Sequence, residues 1–182
     1  RETMYRFALA MTPDQLEAVA SQLYVEMLES GFTRVGEFHY LHHDRDGRPY
    51  GDIAEMAMRI CAAAVDTGLR LTLLPAFYAH ANFAGAPPAP EQRRFINDLD
   101  GYSRLVDNCR RQCTQLHGAT IGVAPHSLRA VTPQELAVVA EMLPDRPVHI
   151  HAAEQMREVE DCLTWSGQRP VEWLLDHTGV DQ

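Results

Sequence analysis

The 182-residue chain carries a formal net charge of −9 with its 9 histidines counted as neutral, and it is 46% hydrophobic and 23% charged. Those proportions belong to a globular chain long enough to bury a real core, and they exclude disorder. The acidic balance, the want of a basic run with interleaved aromatics, and the want of an apolar stretch near the ~20 residues of a membrane span leave neither nucleic acid nor membrane as an expected partner.

In chain order, Thr12-Pro13-Asp14-Gln15 reads as a helix start, with threonine as cap, proline in the first turn and glutamine three residues on. Leu16, Val19, Leu23 and Met27 continue it at helical spacing, and Gly31 ends it. Residues 33–40 read as a strand, 41–51 as a polar loop whose His42 and His43 are expected in solvent, 52–68 as a helix and 71–74 as a second strand. The stretch 75–100 contains Gly85, Pro87, Pro88 and Pro90, and a loop this long is usually functional or disordered. Within it His80 is expected in a lid or a plain surface excursion, and Gln92-Arg93-Arg94-Phe95 as the exposed start of a helix anchored by Phe95. A helix over 102–116 and a strand over 119–124 follow. Thr132-Pro133-Gln134-Glu135 is a second capping box, opening a helix through Leu136, Val139, Ala140 and Leu143. Residues 147–151 read as the fourth strand, and 156–165 and 170–176 as the last helices. Cys61, Cys109, Cys113 and Cys162 lie in helical patterns without CxxC pairing, which suits small core residues in a reducing, cytoplasmic setting.

Strand and helix alternate four times, which implies an α/β fold with a parallel sheet and right-handed crossovers. Polar groups gather after every strand: Tyr40 with His42 and His43, Tyr78 with His80, His126 with Arg129, His151 with Glu154. Convergence of such groups on the C-terminal rim favours a (β/α)8 barrel over an open sheet, and no GxGxxG or GxxxxGK[ST] supports a nucleotide site. A complete barrel needs about 250 residues, so residues 1–182 are read as a single partial barrel domain. Opening on Arg1 without Met and closing at Gln182, the chain is expected to be an internal piece of something longer.

The densest chemistry lies in His149-Ile150-His151-Ala152-Ala153-Glu154, where a strand gives way to a helix. Alternate residues of a strand share a face, and an imidazole at a strand lip can hold a metal while a nearby carboxylate moves protons for water. Same-face neighbours are about 7 Å apart along a strand, so His149 is expected one layer deeper, as a packed histidine. The bland alternative is a pair of histidines hydrogen-bonded inside a sheet, with Glu154 merely opening a helix. Ala124-Pro125-His126-Ser127-Leu128-Arg129 ends the third strand and can aim His126 and Arg129 at one ligand, with arginine's planar fork suited to a carboxylate; the bland alternative is an arginine that caps a loop.

Five motifs taken in this order carry a resemblance: Gly36-Glu37-Phe38-His39-Tyr40-Leu41-His42-His43, Gln92-Arg93-Arg94-Phe95, Gly122-Val123-Ala124-Pro125-His126-Ser127-Leu128-Arg129, His149-Ile150-His151-Ala152-Ala153-Glu154-Gln155 and Arg169-Pro170-Val171-Glu172-Trp173-Leu174. Over essentially the whole chain they resemble the formimidoylglutamate deiminase family of the amidohydrolase superfamily. The resemblance implies about half of a metal-dependent (β/α)8 barrel, strands 2 to 5, from an enzyme of histidine degradation. Its reaction is hydrolysis of N-formimino-L-glutamate, a small dianion, to N-formyl-L-glutamate and ammonia. By the same match His151 is a ligand of one divalent metal, zinc, and Glu154 is the general acid/base. Tyr40, His126 and Arg129 match positions that hold the substrate carboxylates, and Arg1 matches a further carboxylate-binding arginine. The family's first-strand His-x-His, sixth-strand His and eighth-strand Asp have no counterpart within residues 1–182, so this piece alone is expected to bind metal weakly and turn over nothing. Assembly as a homodimer stays open. Two other readings remain: an aminohydrolase of guanine, adenosine or aminotriazine type, and a noncatalytic parallel α/β binding module with structural histidines.

Overall fold

The computed structural model describes residues 2–179. At its centre lies a parallel sheet in the order β1 (Arg34–His39), β2 (Arg70–Phe77), β3 (Ala119–Ile121), with β4 (Ala124–Pro125) resuming beside β2 where β3 stops. Residues 147–151 run parallel beside this third strand line through bridges from Val123 to Val148 and from Ser127 to His151. The helices are α1 (Glu2–Ala10), α2 (Pro13–Glu29), α3 (Glu55–Thr67), α4 (Leu99–Cys113), α5 (Pro133–Glu141), α6 (Met156–Ser166) and α7 (Pro170–His177). The two capping boxes open α2 and α5: Thr12 Oγ1 accepts from the Gln15 amide and Gln15 Oε1 accepts from the Thr12 amide, and Thr132 and Glu135 repeat the exchange. α1 lies outside the helices read from sequence.

The strand expected over 71–74 runs on through Pro75 to Phe77. Proline donates nothing to a ladder and is uncommon in a central strand. Pro75 is tolerated because β2 pairs Leu73 with Ile121 and resumes only at Ala76 with Ala124, while on the other side Pro75 meets His39, the last residue of β1. The absent N–H therefore falls at a gap in one ladder and at the end of the other.

Steric crowding makes that gap. A Cβ on Gly122 would stand 2.3 Å from the Pro147 carbonyl oxygen and 2.9 Å from Leu74 Cδ2, so glycine alone lets residues 147–151 approach. The approach is fixed by backbone bonds: Val123 N to Pro147 O at 3.1 Å, His149 N to Val123 O at 3.0 Å and His151 N to His126 O at 3.0 Å. From the first bridge to the second, four steps on one chain (123 to 127) match three on the other (148 to 151). That one-residue bulge interrupts continuous pairing, which is why the fourth strand read from sequence appears as an extended segment with two isolated bridges.

The sheet separates two apolar layers. Leu71, Leu73, Phe77, Ile121 and Val123 face the helices and pack with Ile60 and Ala64 of α3 and Leu105 and Cys109 of α4. Leu74, Ala76 and Ala124 face the other way, together with Phe38 and Tyr40. All four cysteines are buried free thiols.

Several expectations fail for identifiable reasons. His42 and His43 are not solvated: they are 1% and 4% exposed, because both backbone amides donate to Arg94 O and the rings reach the carbonyls of Ala76 and Ile96. Gln92 and Arg94 are buried as well, and no helix starts there; a 3-10 turn (Pro90–Gln92) leads to α4, which Asp98 caps through the Gly101 amide. Phe95 is the core anchor expected. The Arg94 guanidinium donates to the carbonyls of His43, Ala8 and Met11 and to the Tyr50 hydroxyl, so one side chain ties the end of α1 to the loop after β1. His149 is exposed rather than packed.

His39, His42 and His43 form a buried imidazole group, with His39 and His42 rings 5.4 Å apart. Among the described residues, His39 Nε2 and His42 Nδ1 have no hydrogen-bond partner. Burial pushes the His39 pKa down to about 4 from 6.5 and lowers the other two as well. Between these values the unfolded chain takes up protons that the folded protein refuses, so stability falls as pH falls. From about pH 7 to about pH 5, His39 alone is expected to cost about 2 kcal/mol. Urea midpoints of the unsubstituted protein and of His39→Gln across that range check this; an equally steep loss in the variant would remove His39 as the cause.

Candidate active site

Each strand line delivers side chains to one cleft at its C-terminal end. Tyr40 follows β1 and stands edge-on to Phe95 at 5.0 Å and to His126 at 6.0 Å, with its hydroxyl 3.7 Å from Met4 Sδ. Tyr78 follows β2 and packs against His126 at 4.6 Å between ring centres. His126 follows β4, where its amide donates to Phe77 O at 2.9 Å. The turn after it closes through Ala130 N to Ser127 O, and Ala130 O then accepts from the amides of Ala79 and His80. This folding back carries Arg129 over the ends of β2 and β4.

His151 ends the edge segment. Its ring lies 4.1 Å from Phe38 and 5.1 Å from His126, held by aromatic contact on two sides. The chain then turns sharply, with Ala153 at φ 56°, a left-handed conformation that is costly for a residue with a Cβ. The buried Glu158 carboxylate holds that turn by accepting from the amides of Ala153 at 3.3 Å and Glu154 at 3.0 Å. Glu154 consequently projects into the cleft, with its side chain 48% exposed and Oε2 3.8 Å from Arg129 Nη2.

Tyr40, His126, Arg129, His151 and Glu154 thus line one cavity of about 160 Å³. Five of the six residues singled out from sequence are brought together there; Arg1 lies outside the described residues. The cavity wall also contains Met4, Tyr5, Tyr78, Phe95 and Gln155, which sequence reasoning did not assign. Tyr78 is among the polar groups that the sequence places after strand ends, like Tyr40, but its spacing gives it no role. Met4 and Tyr5 ride on α1, and nothing in the spacing links that helix to the rim. His80 bonds instead to the Glu135 carboxylate at 2.9 Å, tying its loop to the start of α5.

Chemically the cleft pairs a guanidinium and hydroxyl donors, suited to an anion, with a solvent-accessible carboxylate and an imidazole at a strand lip. Among the described residues no group of three or more His, Cys, Asp or Glu is arranged to hold a metal ion. His151 fits as one corner of such a centre: it is partly exposed in the cleft, and its ring is fixed by stacking rather than by hydrogen bonds.

The chain is similar to known proteins over nearly its whole length. The amidohydrolase family model matches residues 2–179. The chain is 51% identical to a formimidoylglutamate deiminase of Pseudomonas aeruginosa over 183 aligned residues, covering 100% of this chain and 40% of the relative. A crystal structure of an amidohydrolase from Brucella melitensis superposes with a TM-score of 0.98 at 65% identity, covering 99% of this chain and 40% of that one. A zinc-bound adenosine deaminase from Xanthomonas campestris shares the fold at 22% identity, with a TM-score of 0.67 over 93% of this chain and 33% of its own. The parallel strands and helices described above are therefore a segment of a barrel of this type, and the chain spans about two fifths of the length of these first two relatives.

Proposed function

Since the chain belongs to the amidohydrolase family, a hydrolase family, we propose that the whole protein hydrolyses N-formimino-L-glutamate to N-formyl-L-glutamate and ammonia, as a step of histidine degradation. One observation carries the reading: Tyr40, His126 and Arg129 meet His151 and Glu154 in a single cleft. An acidic protein that lines one cavity with arginine, histidine and tyrosine has built a local site for an anion.

In this reading Arg129 pairs with a substrate carboxylate, and Tyr40 and His126 add donors around it. The 3.8 Å between the Arg129 and Glu154 side chains supports a substrate held at Arg129 with its formimino carbon within reach of Glu154. Glu154 takes a proton from the attacking water and gives it to the imine nitrogen; as the tetrahedral carbon collapses to the formyl group, Glu154 relays the remaining hydroxyl proton to the same nitrogen, which leaves as ammonia. A divalent metal, zinc in this proposal, would be held in part by His151 and would supply the Lewis acidity that makes water a nucleophile near neutral pH. The reaction would run in the cytoplasm, where the four buried thiols stay reduced.

Ammonia release from N-formimino-L-glutamate, set against guanine and adenosine, tests the proposal; turnover of guanine alone would defeat it. Arg129→Met is expected to raise KM about 30-fold with metal content unchanged, the scale of one lost hydrogen-bonded charge pair. Loss of the metal in that variant would make Arg129 a structural residue.

A further inference from the structure

The donors and acceptors around Tyr78 leave one proton unaccounted for. Gln92 is buried, and its Oε1 accepts from the Ala89 amide at 2.7 Å. That bond fixes the side-chain amide, so Nε2 is the group 2.6 Å from the Tyr78 hydroxyl, and it donates. Arg129 Nη1, which can only donate, lies 3.3 Å from the same oxygen. A phenol oxygen has two lone pairs and one hydrogen. With both lone pairs taken, Tyr78 can use its hydroxyl only as a donor, and the described residues offer that proton no acceptor. Tyr78 is 5% exposed, and it faces the cleft beside Arg129, Tyr40 and His126.

We propose that the Tyr78 hydroxyl is a specificity-determining donor to the substrate carboxylate that Arg129 holds, and that Gln92 is the positioning residue that turns the hydroxyl towards it. The inference rests on the proposed reaction for the identity of the substrate, but not for the anion. A buried donor kept waiting for a partner discriminates strongly against ligands that lack one. Gln92 acts at one remove: it touches Tyr78 and Ala89, not the cavity. Replacing its amide by a carboxylate would give Tyr78 a competing acceptor of nearly the same shape and draw the proton away.

The experiment uses the whole, metal-loaded protein with Tyr78→Phe, Gln92→Glu and Arg129→Met. Steady-state kinetics are measured with N-formimino-L-glutamate and with its two monoanionic analogues, each lacking one carboxylate. Tyr78→Phe is expected to raise KM for the dianion about 10-fold at nearly constant kcat, the scale of one hydrogen bond to a charged group. It should leave unchanged the kinetics of whichever analogue lacks the carboxylate at Arg129. Gln92→Glu should reproduce that pattern with Tyr78 intact, and Tyr78→Phe combined with Arg129→Met should cost less than the product of the single effects, since both hold one group. In parallel, calorimetry with L-glutamate reads carboxylate binding without turnover. A glutamate Kd raised about 10-fold by Tyr78→Phe in a protein that releases no ammonia would sink the deiminase reading and leave this inference standing. KM and glutamate Kd both indifferent to Tyr78→Phe, or shifted alike for both analogues, would overturn it.

Discussion

Exchanging Glu154 for glutamine is expected to lower kcat about 1,000-fold in the whole protein, within the range for removing a general acid/base, while bound metal and KM stay close to those of the unsubstituted enzyme. Glutamine has the same shape, so the left-handed turn at Ala153 and its tether to Glu158 should persist. What disappears is the capacity to accept water's proton and hand it to nitrogen. Because Glu154 is half exposed, its contact with Arg129 is a long 3.8 Å and the Arg129 guanidinium also donates to the Tyr78 hydroxyl, its loss should cost little stability. Kinetics, metal analysis and a thermal scan on one preparation check all three parts. Activity retained at near the original level would remove Glu154 from the mechanism, and metal lost along with activity would recast it as a ligand.

The second large effect concerns stability. Gly122→Ala puts a methyl group 2.3 Å from a backbone carbonyl that cannot swing aside as a side-chain tip would. Relief requires residues 147–151 to retreat from the sheet, breaking the bonds at Val123, His149 and His151. We expect a loss of about 3 kcal/mol or more, with metal occupancy falling too, since His151 rides on the displaced segment. Gly36→Ala is the matched control: its new carbon would meet Leu74 Cδ1 at an ordinary 3.7 Å. Denaturation midpoints and metal content for both variants decide the matter. Equal behaviour of the two would show that the crowding at Gly122 is relieved cheaply.

The parts of this molecule that are legible in its sequence are those governed by neighbours along the chain. Thr12 to Gln15 and Thr132 to Glu135 announce helices because each box satisfies its own orphan amides within four residues. The rim positions Tyr40, His126 and His151 are legible because each sits just past an apolar run. What fails depends on distant partners. Pro75 reads as a strand end until the gap opposite it is known, and His42 and His43 read as solvated until Arg94 O arrives from fifty residues away to draw them in. His149 reads as packed and is exposed, because spacing along a strand says which residues share a face but not what lies against it. The roles of Tyr40, His126, Arg129, His151 and Glu154 follow from family resemblance; their spacing alone leaves a structural reading open.

The Arg94 clasp also constrains how ligands reach the cavity. By gripping Ala8 and Met11 at the end of α1, His43 after β1 and Tyr50 further along that loop, it welds the Met4 and Tyr5 wall to the sheet. Across the gap, residues 153–155 are exposed and are fastened to the start of α6, through two amides on the Glu158 carboxylate and the Gln155 carbonyl on the amides of Glu158 and Val159. Ingress and egress should therefore be gated from the proton-transfer side, with the opposite flank serving as a rigid jamb.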